Sequence, residues 1–140
     1  MDFLTYKQWD VIADSYLPIL AILFLIYVVR LILRKQLKLS ATLLAVAGLS
    51  IVYVCGWMYL DIKLSIWPRI GWDYSTHTAL AWALVWANVF AYKNSRIPVF
   101  ISLGLYLGLM DYQNYHTWAD MISTSLIIGP FVYWLFKKLK

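Results

Sequence analysis

Five apolar stretches, approximately residues 16–33, 39–60, 75–92, 97–114 and 118–136, take up most of this 140-residue chain. Each is close to the roughly 20 residues needed to cross the hydrocarbon of a bilayer. Backbone N–H and C=O groups in lipid find no water, so segments of this length must satisfy them internally, and helices do so. Composition points the same way. The chain is 63% hydrophobic and 14% charged, against roughly 45–50% and 25% in soluble domains. The sequence therefore predicts an all-α integral membrane protein, with residues 1–140 forming a single domain, a bundle of five transmembrane helices. Asp14 and Ser15 precede the first apolar run and Pro18 follows, which predicts a helix start there with proline in the first turn. Pro98 has the same place in the fourth run, and Pro130 inside the fifth predicts a kink.

Charge sets an orientation. Arg34, Lys35 and Lys38 lie between the first two runs, Lys93 and Arg96 between the third and fourth, and Lys137, Lys138 and Lys140 after the fifth. All these positions fall on one side, which the positive-inside rule makes cytoplasmic. The C-terminus is then cytoplasmic. The N-terminus and the 61–74 and 111–117 loops face outward, as across a bacterial inner membrane. All seven acids, Asp2, Asp10, Asp14, Asp61, Asp73, Asp111 and Asp120, map to that outer side or its helix mouths, and there is no glutamate. Trp9, Trp67, Trp72 and Trp118 are expected there as interfacial aromatics. The net charge of +5 thus reports topology and implies no nucleic-acid partner. The polar start MDFLTYKQWD is no cleavable signal, so the first helix is read as an uncleaved anchor. The single cysteine, Cys55, excludes an intrachain disulfide and is expected as a small buried apolar residue.

The chain has only two histidines, and both fall at helix starts on the outer side. His77 follows Asp73, Ser75 and Thr76 at the mouth of the third helix. His116 stands four residues before Asp120 at the mouth of the fifth. Ionisable groups at membrane depth mark function by default. Two helix N-termini with their unpaired N–H groups suit an anion such as phosphate. Lys63 and Arg69, just upstream, can bond phosphate oxygens. A carboxylate on one imidazole nitrogen fixes the tautomer and frees the other to attack, while a second histidine can protonate a leaving oxygen.

This constellation resembles the type 2 phosphatidic acid phosphatase superfamily, whose motifs are K-x6-R-P, P-S-G-H and S-R-x5-H-x3-D. Ser75-Thr76-His77 resembles the second motif, and His116 to Asp120 matches H-x3-D. Lys63 to Arg69 resembles the first, with one residue fewer between and with Pro68 before the arginine. The resemblance covers about residues 58–130. It implies a lipid phosphatase that removes phosphate from a lipid phosphate or diphosphate at the outer membrane face through a phosphohistidine. In it His116 is the nucleophile, Asp120 orients it, His77 is the acid, and Lys63, Arg69, Ser75 and Thr76 bind substrate. It implies no metal and no cofactor. The sequence departs at the glycine before the histidine, which is Thr76, at the proline, which is Tyr74, and at the S-R pair, which falls on Leu109-Met110. Family cores usually have six spanning helices.

Other readings stand beside it. The absent arginine is shared with the sphingomyelin-synthase-like branch, where the same residues transfer a lipid phospho-headgroup. A non-catalytic protein of this fold, binding lipid headgroups or serving in an assembly, is a second class, and a homo-oligomer is compatible with any of them. Asp73, His77, His116 and Asp120 would also suit zinc or a harder transition ion, a third class. Asp111 is expected as a solvated loop residue, and Tyr112, Gln113 and Asn114 either gate the site or cap a turn. Trp82 and Trp86, four apart, are expected to pack or face lipid, and Asn88 to bond across to a neighbouring helix.

Overall fold

The structure, a computed structural model, describes residues 5–139; Asp2 and Lys140, placed above at the two chain ends, lie outside the described residues. It consists of α1 (Tyr6–Leu33), α2 (Leu37–Leu64), α3 (Thr76–Ala91), α4 (Arg96–Tyr112) and α5 (Trp118–Lys137), with one 3₁₀ turn at Pro68–Ile70. No strand occurs among the described residues. The five helices fall where the apolar runs predict them, except that α1 starts earlier and α2 runs on to Leu64, so that Asp61 and Lys63 lie in helix and not in the 61–74 loop. Gln8 reaches back so that its Oε1 accepts the Thr5 N–H at 2.7 Å, and the helix runs from Tyr6. Asp14 and Ser15 therefore lie within α1, and Pro18 is an interior residue, not a first-turn one. Its missing N–H withdraws one partner from the Asp14 carbonyl. Pro130 is interior to α5, as the sequence implies.

Three helices, α1, α2 and α5, are long and apolar enough to cross a membrane. α1 and α2, with 28 residues each, measure about 42 Å at 1.5 Å per residue. α3 and α4 have 16 and 17 residues, about 24–26 Å. α1 shows Ile19, Ile22, Leu25, Ile26 and Val29 on its exposed surface. Apolar surface on this scale suits lipid and not water.

The short α3 is the centre of the bundle and packs against all four other helices. Ala79, Ala81, Ala83, Ala87 and Ala91 are all buried, and side chains this small let neighbouring helices approach closely. One face of α3 joins Phe24, Val28, Val54, Ile128 and Val132, from α1, α2 and α5. Another joins Leu20, Leu103, Tyr106 and Met110, from α1 and α4. Polar ties add register. Asn88 Nδ2 donates to the Leu20 carbonyl at 2.9 Å, so it does bond across to α1. Tyr92 Oη donates to the Leu23 carbonyl at 2.8 Å, and Trp82 Nε1 to Ser125 Oγ at 2.8 Å. Trp82 and Trp86 are half-buried and stack, with ring centroids 6.1 Å apart. Such interhelical bonds average about 0.6 kcal/mol in membranes, so they set alignment more than stability.

Two expectations change. Cys55 is exposed on the outer surface of α2, because the buried stripe of that helix runs through Val46, Ser50 and Val54. Trp67 is no interfacial residue: it is buried, its backbone N–H bonded to Asp61 Oδ1 and its Nε1 to Ser123 Oγ, both at 2.8 Å. Asp61 is buried in the same contact. Trp67 thus pins the 65–75 connection against α5, and Tyr74 Oη, donating to the Val54 carbonyl at 3.0 Å, pins it to α2.

Candidate functional site

The segment that carries Asp73 into α3 is extended and lies along the first turns of α5. Asp73 N donates to Asp120 Oδ1 at 2.8 Å, and Ser75 N to Thr124 Oγ1 at 3.1 Å. Two extended residues advance about 6.6–6.8 Å and one helical i,i+4 step about 6 Å, so the two spacings match. Ser75 then caps α3. Its Oγ accepts from Thr78 N at 3.2 Å and donates to Thr78 Oγ1 at 2.7 Å. Ser75 is fully buried, and its polar atoms are spent on this cap and on Thr124. Thr76 is the first residue of α3 and half-buried, and His77 follows, exposed. No acidic residue occupies the first turn of α3, so the positive end of its dipole is not offset locally.

His116 arrives from the other side. α4 closes with Asn114 in the left-handed region at φ 58°, with Asn114 N bonded to the Asp111 carbonyl and Tyr115 N to the Met110 carbonyl. This Schellman pattern turns the chain sharply. The Asp111 residue is thus in the last turn of α4 and half-buried, not in a solvated loop. Gln113 is buried and donates to Asp10 Oδ1 at 3.3 Å, and the Tyr115 hydroxyl also donates to Asp10 Oδ1. The Asp10 carboxylate, accepting that proton, pushes the Tyr115 pKa up. The 113–115 turn is therefore tied to α1. Thr117 and Asp120 next form a reciprocal capping box: Thr117 N donates to Asp120 Oδ2 at 2.8 Å and Asp120 N to Thr117 Oγ1 at 3.3 Å.

These two constructions bring the histidines together. Their ring centroids lie 6.3 Å apart, the planes tilted by 51°. His116 has its side chain 12% exposed, and its Nδ1 is buried without a hydrogen-bond partner. The carboxylate facing that nitrogen belongs to Asp73, whose Oδ2 lies 3.6 Å away, an ion-pair distance just beyond a hydrogen bond. Burial lowers the His116 pKa below the ordinary histidine value; the charges of Asp73 and Asp120 oppose this and His77 adds to it. Burial thus favours the neutral ring, and Nε2 is the nitrogen on the ring edge away from Asp73.

Asp120 is near His116 electrostatically but does not bond it. Both of its carboxylate oxygens are taken by backbone N–H groups, one of Asp73 and one of Thr117. Its place is to clasp the two segments that present Asp73 and His116. Lys63 lies in the last turn of α2 with Nζ 5.7 Å from the Tyr59 ring centroid, and Arg69 is exposed in the 3₁₀ turn. Neither side chain makes a hydrogen bond or ion pair among the described residues, and the charged groups acting on His116 are Asp73, Asp120 and His77. No three His, Cys, Asp or Glu side chains among the described residues are gathered closely enough to hold a metal ion together. Comparison with known proteins finds no matching family model, no matching curated protein and no matching solved structure.

Proposed function

We propose that the chain is a membrane phosphatase acting on a lipid phosphate or diphosphate through a phosphohistidine on His116. The observation that carries this reading is the pairing itself. The only two histidines, 39 positions apart (116 − 77), meet at 6.3 Å with a carboxylate on one of them. In the first step Nε2 of His116 forms a bond to phosphorus while the ester P–O bond breaks, and His77 gives the leaving oxygen its proton. In the second, water gives up a proton to His77 and attacks phosphorus, the N–P bond breaks, and inorganic phosphate leaves. Asp73 holds the Nδ1 proton and stabilises the positive charge that develops on the ring, the separation tightening when substrate is bound. Asp120 acts through backbone as a positioning residue. The Thr76 and His77 N–H groups, which the Ser75 cap does not take, suit phosphate oxygens.

In this reading all five helices cross the membrane. α3 can be short because it is sheathed by protein, where its depth matters less than its contacts. The basic turns face the cytoplasm and the histidine pair faces the outside, across an inner-membrane-type bilayer.

A second reading rests on a specific observation. No arginine stands near His116, and Lys63 and Arg69 have no tie to the pair, which suits transfer of a phospho-headgroup or headgroup binding without turnover. Purified protein incubated with a panel of lipid phosphates and diphosphates separates these. Release of inorganic phosphate, lost in His116→Ala, supports hydrolysis. Binding of a lipid phosphate with no release and no transfer to a second lipid would replace it with the non-catalytic reading.

A further inference from the structure

At the opposite end of α3 from the histidines, α4 and α5 each pack on α3 but barely on each other. The gap is a cleft of about 820 Å³. Its walls are aromatic: Trp86 and Phe90 from α3, Phe100 from α4 and Tyr133 from α5. Its mouth is cationic: Lys93, Arg96 and Lys137, with no acid lining it. Lys93 and Arg96 have no ion-pair partner among the described residues, the one ion pair there being at the histidine end. Every described aspartate lies toward that other end, so no described acidic side chain neutralises this one.

We propose that this cleft binds one anionic phospholipid, its phosphate held by Lys93, Arg96 and Lys137 and the upper part of its acyl chains lying on the aromatic walls. Three arguments select this occupant. First, charge: three cations meet an apolar slot, the complement of a phosphate joined to hydrocarbon. Second, access: the neighbouring outward residues Ile97, Ile101 and Leu105 are 75%, 59% and 72% exposed, so the slot opens sideways onto apolar surface, from which a lipid enters and a soluble anion does not. Third, depth: α3 at about 24 Å is shorter than hydrocarbon of about 30 Å, which draws Lys93 and Arg96 below the water interface toward the level of lipid phosphates and esters. A second copy is a poor occupant, because copies inserted in one orientation would set basic end against basic end. The proposal does not depend on the chemistry at the histidine pair.

The test is native mass spectrometry of the full chain in detergent with equimolar phosphatidylglycerol and phosphatidylcholine. One phosphatidylglycerol should be retained in preference. Lys93→Gln with Arg96→Gln should weaken its retention about 30-fold, at about five-fold per cation near a membrane surface. Lys35→Gln with Lys38→Gln, in the α1–α2 turn and the first turn of α2, should leave it within about two-fold. Should the double variant fail to fold, Lys137→Gln carries the same test at about five-fold. Equal retention of both lipids would overturn the site, as would equal loss in the two double variants. So would a dimer that retains no lipid, or competition by glycerophosphoglycerol, which has no acyl chains, at the affinity of the whole lipid.

Discussion

Replacing Asp120 separates a carboxylate that clasps backbone from one that orients a histidine. Asp120 is 6% exposed, and its two oxygens accept from Asp73 N and Thr117 N, each at 2.8 Å. A hydrogen bond to a charged group contributes about 1.5–3 kcal/mol. Asp120→Ala removes both acceptors and leaves two N–H groups without partners, a loss of about 3–6 kcal/mol. Asp120→Asn keeps one oxygen and turns an amide toward the other N–H, so it should cost about half of that. Asp73→Asn, at an exposed side chain, should stay within about 0.5 kcal/mol of the parent. The assay is equilibrium unfolding in mixed micelles, read by tryptophan fluorescence, with amide exchange at Asp73 as a local probe. The expected order is parent and Asp73→Asn together, then Asp120→Asn, then Asp120→Ala, with exchange at Asp73 accelerating along it. Asp120→Ala within about 1 kcal/mol of the parent would refute the clasp, and so would Asp73→Asn costing as much as Asp120→Asn.

In the proposed reaction attack by His116 needs the neutral ring, and burial holds its pKa below the ordinary 6.5. The acid limb of kcat/KM should therefore lie below pH 6.5, and Asp73→Asn, which removes a charge that raises this pKa, should move the limb lower still; a limb unmoved or moved upward would contradict the pairing. Phosphate release should survive EDTA, since no step uses a cation; loss with chelator and recovery with zinc or manganese would revive the metal reading. A cysteine introduced at Ser65 should react with an impermeant thiol reagent from outside intact cells; labelling only after the inner membrane is permeabilised would reverse the orientation. Trp67→Phe should loosen the 65–75 connection by about 1 kcal/mol through loss of the bond to Ser123, read as faster amide exchange there without change in α1.

The helices were legible because apolar runs of this length admit little else. The start of α1 was legible too, in Thr5-x-x-Gln8, but Pro18 offers a competing first-turn signal that only the packed helix overrules. The convergence of His77 and His116 follows from topology: odd-numbered helices in an up-and-down bundle begin at one end. The carboxylate assignment does not follow. Thr117-x-x-Asp120 carries the capping-box pattern as plainly as His116-x3-Asp120 carries a family motif, and one carboxylate has only two oxygens to give. Asp73 emerges as the residue facing His116 only once its segment is laid along α5, a tertiary event with no local signature. Trp67 was hidden for a related reason. Tryptophan suits both interface and core, and the bonds to Asp61 and Ser123 that decide between them span 6 and 56 residues.

The central claim is that the two histidines form a phosphoryl-transfer site with His116 as nucleophile. The most direct measurement incubates purified protein with a lipid phosphate labelled in phosphorus, quenches it rapidly, and maps acid-labile, base-stable label on the chain. Label should sit on His116, be absent in His116→Ala, and persist in His77→Ala when the leaving group is good enough to depart without an acid. Label in His116→Ala equal to that in the parent would contradict the claim.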